Sequence, residues 1–313
     1  LEVAELAWPE FGGQLSVRAE DMITDERLLR LELANVIEPI QNHPSLFAYQ
    51  IIDEPPVALV PNIKRACRAL RQIDPIHPPF GALCSLDELP RTARMPYPAI
   101  TFDTYQIYEN TVPGQFDFRN YIGICHVIQE QASANDLPYW MAVQTFAKGG
   151  AFRMPTIAEI RATTYCAIAE NSKGILFFLY NSWSQQEKLE GVVDRDMNPR
   201  PIWKEVGEFA RELKELTPVF LTMKPAPNNI SGSTNTVLIR SFEGPRNTRY
   251  VLLVNLDVLN SATFRGTVAD LGDDMGIWDV RTGAAIEIES GSPEDGSRFT
   301  VSIEPGDGAL LRL

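Results

Sequence analysis

A single change of period divides this chain. As far as about residue 216, short apolar runs alternate with segments whose apolar residues recur at helical spacing; beyond it only short runs remain, separated by turns rich in Gly, Asp, Asn, Ser and Pro. The first pattern predicts β-α units, because consecutive parallel strands need a crossover long enough to hold a helix. Six strands are expected: Leu1 to Trp8, Leu46 to Ile52, Phe80 to Cys84, Ala99 to Asp103, Tyr139 to Phe146 and Gly174 to Tyr180. The helices expected between and after them run Asp25 to Ile40, Asn62 to Ile73, Leu86 to Arg91, Arg119 to Asn135, Thr156 to Asn171 and Pro201 to Leu216. Six units do not close a barrel of eight, which typically takes about 250 residues. Two readings follow: a (β/α)8 TIM-barrel-like domain incomplete at its N-terminus, its first two strands missing from this chain, or an open sheet. An incomplete barrel would leave sheet edges that something has to cover.

Pro218, Pro225 and Pro227, followed by Asn228, Asn229, Ser231, Gly232 and Ser233, read as a linker. Seven short strands are expected after it: Val237 to Ser241, Tyr250 to Asn255, Ala262 to Val268, Gly276 to Val280, Ala285 to Glu289, Phe299 to Ile303 and Ala309 to Leu313. Their short, regular spacing is that of an all-β sandwich. The expected division is therefore residues 1–222 as a (β/α) barrel domain of catalytic type and residues 223–313 as a β-sandwich domain.

Composition removes several classes of function. With 28 Lys and Arg against 41 Asp and Glu, the formal charge is −13 and there is no basic stripe, so nucleic acid is not an expected partner. No apolar run approaches the roughly 18 residues of a membrane span, and no membrane partner is expected. Cys67, Cys84, Cys125 and Cys166 are widely spaced and read as small buried hydrophobes. His43, His77 and His126 form no metal-binding pattern, so no metal is expected. The segment from Lys148 to Arg153 lacks the spacing of a phosphate loop. The chain begins at Leu1 without a signal-peptide pattern. An extracellular or periplasmic location stays open, as do redox compartment and oligomeric state, and the Asn229-Ile230-Ser231 sequon matters only in a glycosylating cell.

The most informative stretch is HPSLFAYQIIDEPP, His43 to Pro56, where an apolar strand ends in the adjacent carboxylates Asp53 and Glu54 and then two prolines. In a parallel barrel the C-terminal strand ends face the active-site mouth. Neighbours along a strand point to opposite sides, so one of the two acids is expected to line the pocket and the other to support it.

This stretch resembles the fourth-strand region of the clan A glycoside hydrolases, the (β/α)8 retaining glycosidases of β-galactosidase-like and cellulase-like type, where an apolar strand ends in Asn or Asp, then Glu-Pro. Trp8-Pro9-Glu10, Phe102 to Tyr105, Pro138 to Phe146 and Gly174 to Trp183 occur in the order of that family's third, sixth, seventh and eighth strand ends. The resemblance implies a carbohydrate substrate or ligand, no cofactor, Glu54 as general acid/base and Asp53 as a substrate contact. Where the family carries its nucleophile, at the end of strand seven, this chain has Gln144 and Thr145. A neutral amide cannot form a glycosyl ester.

Three readings stay open. Asp103, or behind it Glu10 or Glu109, serves as nucleophile or base; Gln144 positions substrate while Glu54 works with a second group in an inverting reaction; or the barrel binds sugar without cleaving it, as a pseudoenzyme. Aromatic rings that face a pyranose are expected among Trp8, Tyr105 and Trp183, whereas Trp140, Trp203 and Trp278 are assigned to packing.

Overall fold

A computed structural model describes residues 26–44, 46–182, 188–228, 230–232, 235–269, 271, 276–290 and 296–313. The expected strand Leu1 to Trp8, with Trp8 and Glu10, lies outside them, as does Trp183. Contacts divide the chain into two compact units, residues 1–104 with 126–142, and residues 105–125 with 143–313. Among the described residues no helix is long and apolar enough to cross a membrane.

In the first unit α1 (Glu26–Ile37) precedes β1 (Tyr49–Asp53), α2 (Val60–Ile73), β2 (Pro79–Leu83), the single turn α3 (Leu89–Thr92) and β3 (Ile100–Asp103). The helix α4 (Phe118–Ala134) and β4 (Tyr139–Gln144) follow, and their residues 126–134 and 139–142 belong to this unit. The strands pair in parallel in the order β1-β2-β3-β4, with Tyr49 opposite Pro79, Ala82 opposite Thr101 and Ile100 opposite Tyr139. α2 shows why the helices form here. A proline in its first turn presets φ, and Ile63, Ala66, Cys67, Ala69 and Leu70 bury one face while Arg68 and Arg71 stay in water. Ile37, Leu46, Tyr49 and Leu70 share one apolar cluster. Trp140 packs against Phe47 and Phe80, with ring centroids 5.6 and 6.3 Å apart, as its assignment to packing anticipates.

In the second unit the end of β4 neighbours β6 (Gly174–Phe178), and β5 (Ala147–Lys148) pairs antiparallel with β7 (Leu189–Glu190). Between them, α5 (Ile157–Ala169) opens with a capping box in which Thr156 and Glu159 satisfy each other's backbone N–H groups. The helix α6 (Ile202–Thr222) runs through Pro218, where the sequence suggests a break. Its apolar face continues to Leu216 and Phe220, both buried, while Pro218 and Lys214 are exposed, so water can serve the carbonyl that the proline leaves without a donor.

The segment read as a linker holds two further strands, β8 (Lys224–Ala226) and β9 (Ile230–Gly232). β8 takes the edge of its sheet, the place where a proline costs least. Then follow β10 (Val237–Glu243), β11 (Arg249–Asn255), β12 (Ala262–Val268), β13 (Ile277–Asp279), β14 (Ala285–Ile286), β15 (Ile288–Ser290), β16 (Ser297–Ile303) and β17 (Gly308–Arg312).

They form antiparallel sheets ordered β14-β13-β17-β11-β10-β8 and β15-β16-β12-β9. The single strand expected from Ala285 to Glu289 is thus two, one in each sheet. Val251, Leu253, Phe264, Val301 and Leu311 meet in the core between the sheets, following the period of two. Leu252 and Val254, on the other face of β11, are also fully buried, and α5 packs against this strand. Gly306 and Gly308 allow that approach: a Cβ on Gly308 would lie 2.6 Å from the Tyr165 ring.

Candidate active site

Because β1, β2 and β3 run parallel, their C-terminal residues emerge at one end of the first unit's sheet. Those residues are Asp53 and Glu54, then Cys84, then Asp103. Glu54 leaves the strand with φ 42°, a left-handed conformation that costs a non-glycine residue about 1 kcal/mol or more. Its N–H donates to the carbonyl of Ala82, 3.1 Å away, which ties this turn to β2. The turn takes Glu54 out of the alternation that would set it opposite Asp53. Glu54, Cys84 and Asp103 then each offer a ligand atom within 4.8 Å of the other two. Glu54 and Cys84 are exposed and Asp103 is buried, so the group has a rigid floor and an open side.

Acid crowds on acid here. Burial and then the Glu54 charge raise the Asp53 carboxyl to about 6, against the pull of a 3.1 Å hydrogen bond from the Gln50 amide. One side of Asp53 still reaches solvent, which limits what burial contributes. The Cys84 thiol is pushed up to about 12 by partial burial, by the charges of Glu54, Asp103 and Asp53, and by its hydrogen bond to Glu54. It is therefore a neutral thiol, a poor nucleophile. Cys84 was expected to be buried with the other three cysteines; Cys67, Cys125 and Cys166 are buried, and Cys84 is exposed because it stands just past the end of β2.

Among the described residues the remaining sequence candidates, Tyr105, Glu109 and Gln144, lie in the second unit and are described within it. The Gln144 side chain is 5 % exposed and wholly engaged. Its Oε1 accepts from the Ile107 N–H at 3.2 Å, and its Nε2 donates to the carbonyls of Ile107, Phe146 and Arg153 at 3.2, 3.3 and 3.1 Å. The amide braces three loop segments. Beside it Arg153 grips the fully buried Glu159 through both terminal guanidinium nitrogens. Tyr105 stacks on Phe178 at 5.6 Å and meets Phe146 edge-on at 4.9 Å. Glu109 is exposed on a loop whose backbone bonds Ala151. The feature that sequence reasoning missed is Cys84, whose place beside two carboxylates depends on the register of β1, β2 and β3.

No family model and no curated protein matches the sequence. Solved structures do match in fold. A glycoside hydrolase family 5 protein from Bacteroides vulgatus aligns with a TM-score of 0.56 and 12% identity, over 95% of this chain and 68% of its own. An Anoxybacillus α-amylase aligns with a TM-score of 0.54 and 8% identity, over 91% and 62%. A GH27 β-L-arabinopyranosidase from Geobacillus stearothermophilus aligns with a TM-score of 0.53 and 12% identity, over 92% and 61%. The chain thus spans about six-tenths of the length of that arabinopyranosidase. Its fold is glycoside-hydrolase-like: an α/β fold with a parallel sheet and further antiparallel sheets.

Proposed function

We propose that the chain cleaves glycosidic bonds, with Glu54 as general acid/base and Asp103 as its partner carboxylate. The observation that carries this reading is the approach of Glu54 and Asp103 to within 4.8 Å at the ends of parallel strands. Retaining glycosidases hold their two carboxyl groups about 5–5.5 Å apart, and inverting ones about 6.5–9.5 Å. The separation here favours retention. Glu54 protonates the leaving oxygen while Asp103 attacks the anomeric carbon; water, deprotonated by Glu54, then releases the sugar. Gln144 has no part in the bond cleavage, since its amide is held by backbone. Asp53 is the proposed substrate contact beside this pair, and Tyr105, Gln144, Trp8 and Trp183 are proposed as contacts on sequence alone. The resemblance to clan A supports a (β/α)8 barrel over residues 1–222 braced by the sandwich of residues 223–313.

A second reading, a carbohydrate-binding pseudoenzyme, is favoured by the neutral Gln144 where the resemblance implies the nucleophile. One experiment separates the two. Hydrolysis of a panel of aryl glycosides is measured for the intact chain, Glu54→Gln and Asp103→Asn, with product stereochemistry followed by NMR. Turnover with retention, reduced by about 10²–10⁴ in Glu54→Gln, supports the hydrolase. Saturable oligosaccharide binding with no turnover on any sugar would leave the pseudoenzyme.

A further inference from the structure

We propose that the outer face of α2 docks an anionic polysaccharide whose sugar residues carry carboxylates. Docking itself needs no catalysis; that the docked glycan is also the one cleaved rests on the hydrolase reading. Lys64, Arg68 and Arg71 recur at i, i+4 and i+7, so they line one side of the helix over about 10 Å, with Arg65 beside them. In the sequence these cations are interleaved with buried residues, and only the helix brings them into a row. The Arg71 guanidinium donates to the Pro96 carbonyl at 2.7 Å, which places Arg94, exposed and two residues before that proline, near the far end of the row.

Two observations carry the proposal. The first is that these cations have no acids to answer them. α2 contains no Asp or Glu, and Asp74 at its end is buried and bonded to Tyr49 and His77. Among the described residues none of Lys64, Arg65, Arg68, Arg71 and Arg94 is in an ion pair, whereas Arg153, Arg161, Arg240 and Arg281 of the second unit each hold a carboxylate. The helix dipole favours a cation in the last turn, which accounts for Arg71 but not for Lys64 and Arg65. The second observation is place. Only residues 55–59 separate Glu54 from α2, which carries the chain back to the start of parallel β2. Lys64 is therefore the member of the row nearest the strand ends that hold Glu54 and Asp103, and the row leads away from them along the outside of the sheet.

The chemistry of the face selects its occupant. The exposed residues of α2 are Pro61, Arg68, Arg71 and Gln72, with no large apolar or aromatic side chain among them. A protein partner is anchored by such side chains, and a bilayer takes up an apolar face. Nucleic acid is held by neutralising many phosphates, more than a row of about 10 Å reaches on a chain of formal charge −13. A linear glycan bearing carboxylates meets the row charge by charge, because a planar guanidinium pairs a carboxylate through two N–H groups and Lys64 adds a point charge.

The test measures binding to the intact chain and needs no turnover. Polygalacturonate is titrated at low and at high salt, with dextran as the neutral control and dextran sulfate, phosphatidylserine vesicles and single-stranded DNA as other polyanions. The expected result is saturable polygalacturonate binding that dextran does not share and that salt weakens. The triple variant Lys64→Gln/Arg68→Gln/Arg71→Gln should lose about tenfold or more in affinity and flatten the salt dependence. Lys204→Gln/Lys214→Gln on α6 should leave both unchanged. Arg68→Gln alone, at an exposed position, should give a smaller loss of the same sign, which keeps the test decisive if the triple variant folds poorly. Polygalacturonate binding indifferent to these α2 substitutions, equal binding of dextran, or a preference for the sulfate, the vesicles or DNA would overturn the proposal. Aryl glycoside turnover without polygalacturonate binding counts against the docking face alone, and binding through α2 without turnover on any sugar counts against the hydrolase reading alone.

Discussion

Two clusters of charge in this molecule are built on opposite principles. In the first unit, Asp53, Glu54 and Asp103 gather around Cys84; their charges raise the Cys84 thiol, and the Glu54 charge also raises the Asp53 carboxyl. In the second unit, Arg161 and Arg281 face Glu212 and Asp307. Arg161 reaches Glu212 at 2.9 Å and Asp307 at 2.5 Å, Arg281 reaches them at 3.0 and 2.9 Å, and the Tyr165 hydroxyl donates to Glu212 at 2.6 Å. Burial alone would raise the Asp307 carboxyl, but the two guanidinium groups hold it below its ordinary range. The balanced cluster joins α5 and α6 to the β16–β17 turn and so serves the fold. The unbalanced one instead brings like charges together at the ends of parallel strands.

Substitutions can break or sharpen this contrast. The largest effect is expected from Glu54→Gln, which should abolish most turnover while leaving the thermal midpoint unchanged or higher, because it removes one of several crowded acids. A midpoint lowered by several degrees would place Glu54 among the structural carboxylates and erase the distinction.

Arg281→Met is the mirror experiment. It strips one cation from a partly buried network and should cost about 2–3 kcal/mol in urea denaturation, at the lower end for a broken buried pair because the side chains of Arg281 and Asp307 remain 29% and 12% exposed. A loss below about 0.5 kcal/mol would rank the network with surface ion pairs. Gly308→Ala tests the seat of the sandwich on α5. Overpacking against Tyr165 should cost about 1–3 kcal/mol, read from the same denaturation curves.

A smaller, pH-dependent effect is expected at Asp74 in the first unit. Burial raises its carboxyl, but hydrogen bonds from His77, Tyr49 and the backbone N–H groups of His77 and Ile76 outweigh that and hold it at about 2. The folded value lies below the unfolded value of about 3.9, so this contribution is complete above pH 4 and is lost as pH falls towards 2. Asp74→Asn should flatten the acid limb of the stability curve, and an unchanged slope would remove Asp74 from that role. Smallest is Thr156→Ala, which opens the capping box of α5 and should cost about 1 kcal/mol by thermal denaturation.

Much of this was legible in the residues themselves. The expected strand Ala262 to Val268 coincides with β12, and the five described parallel strands fall on expected runs, because period-two and apolar-run patterns are local consequences of burial. The exceptions share a physical cause. Pro218 sits inside α6 and Pro225 inside β8, since a proline is tolerated where its missing donor faces water or a sheet edge, and only the tertiary fold decides which residues lie there. Gln144 was legible as a polar residue at a strand end, but its four backbone partners come from loops as many as 37 positions away in sequence.

The sequence by itself determined the element types, the change from parallel to antiparallel architecture, and the presence of an acid pair at a strand end followed by prolines. Those follow from hydrophobic period and from the fixed geometry of proline. Only the tertiary structure decided which acids become partners. The parallel register of β1, β2 and β3 brings Glu54, Cys84 and Asp103 together although up to 49 positions separate them in the chain, and such register is set by packing across the sheet rather than by any one segment's composition.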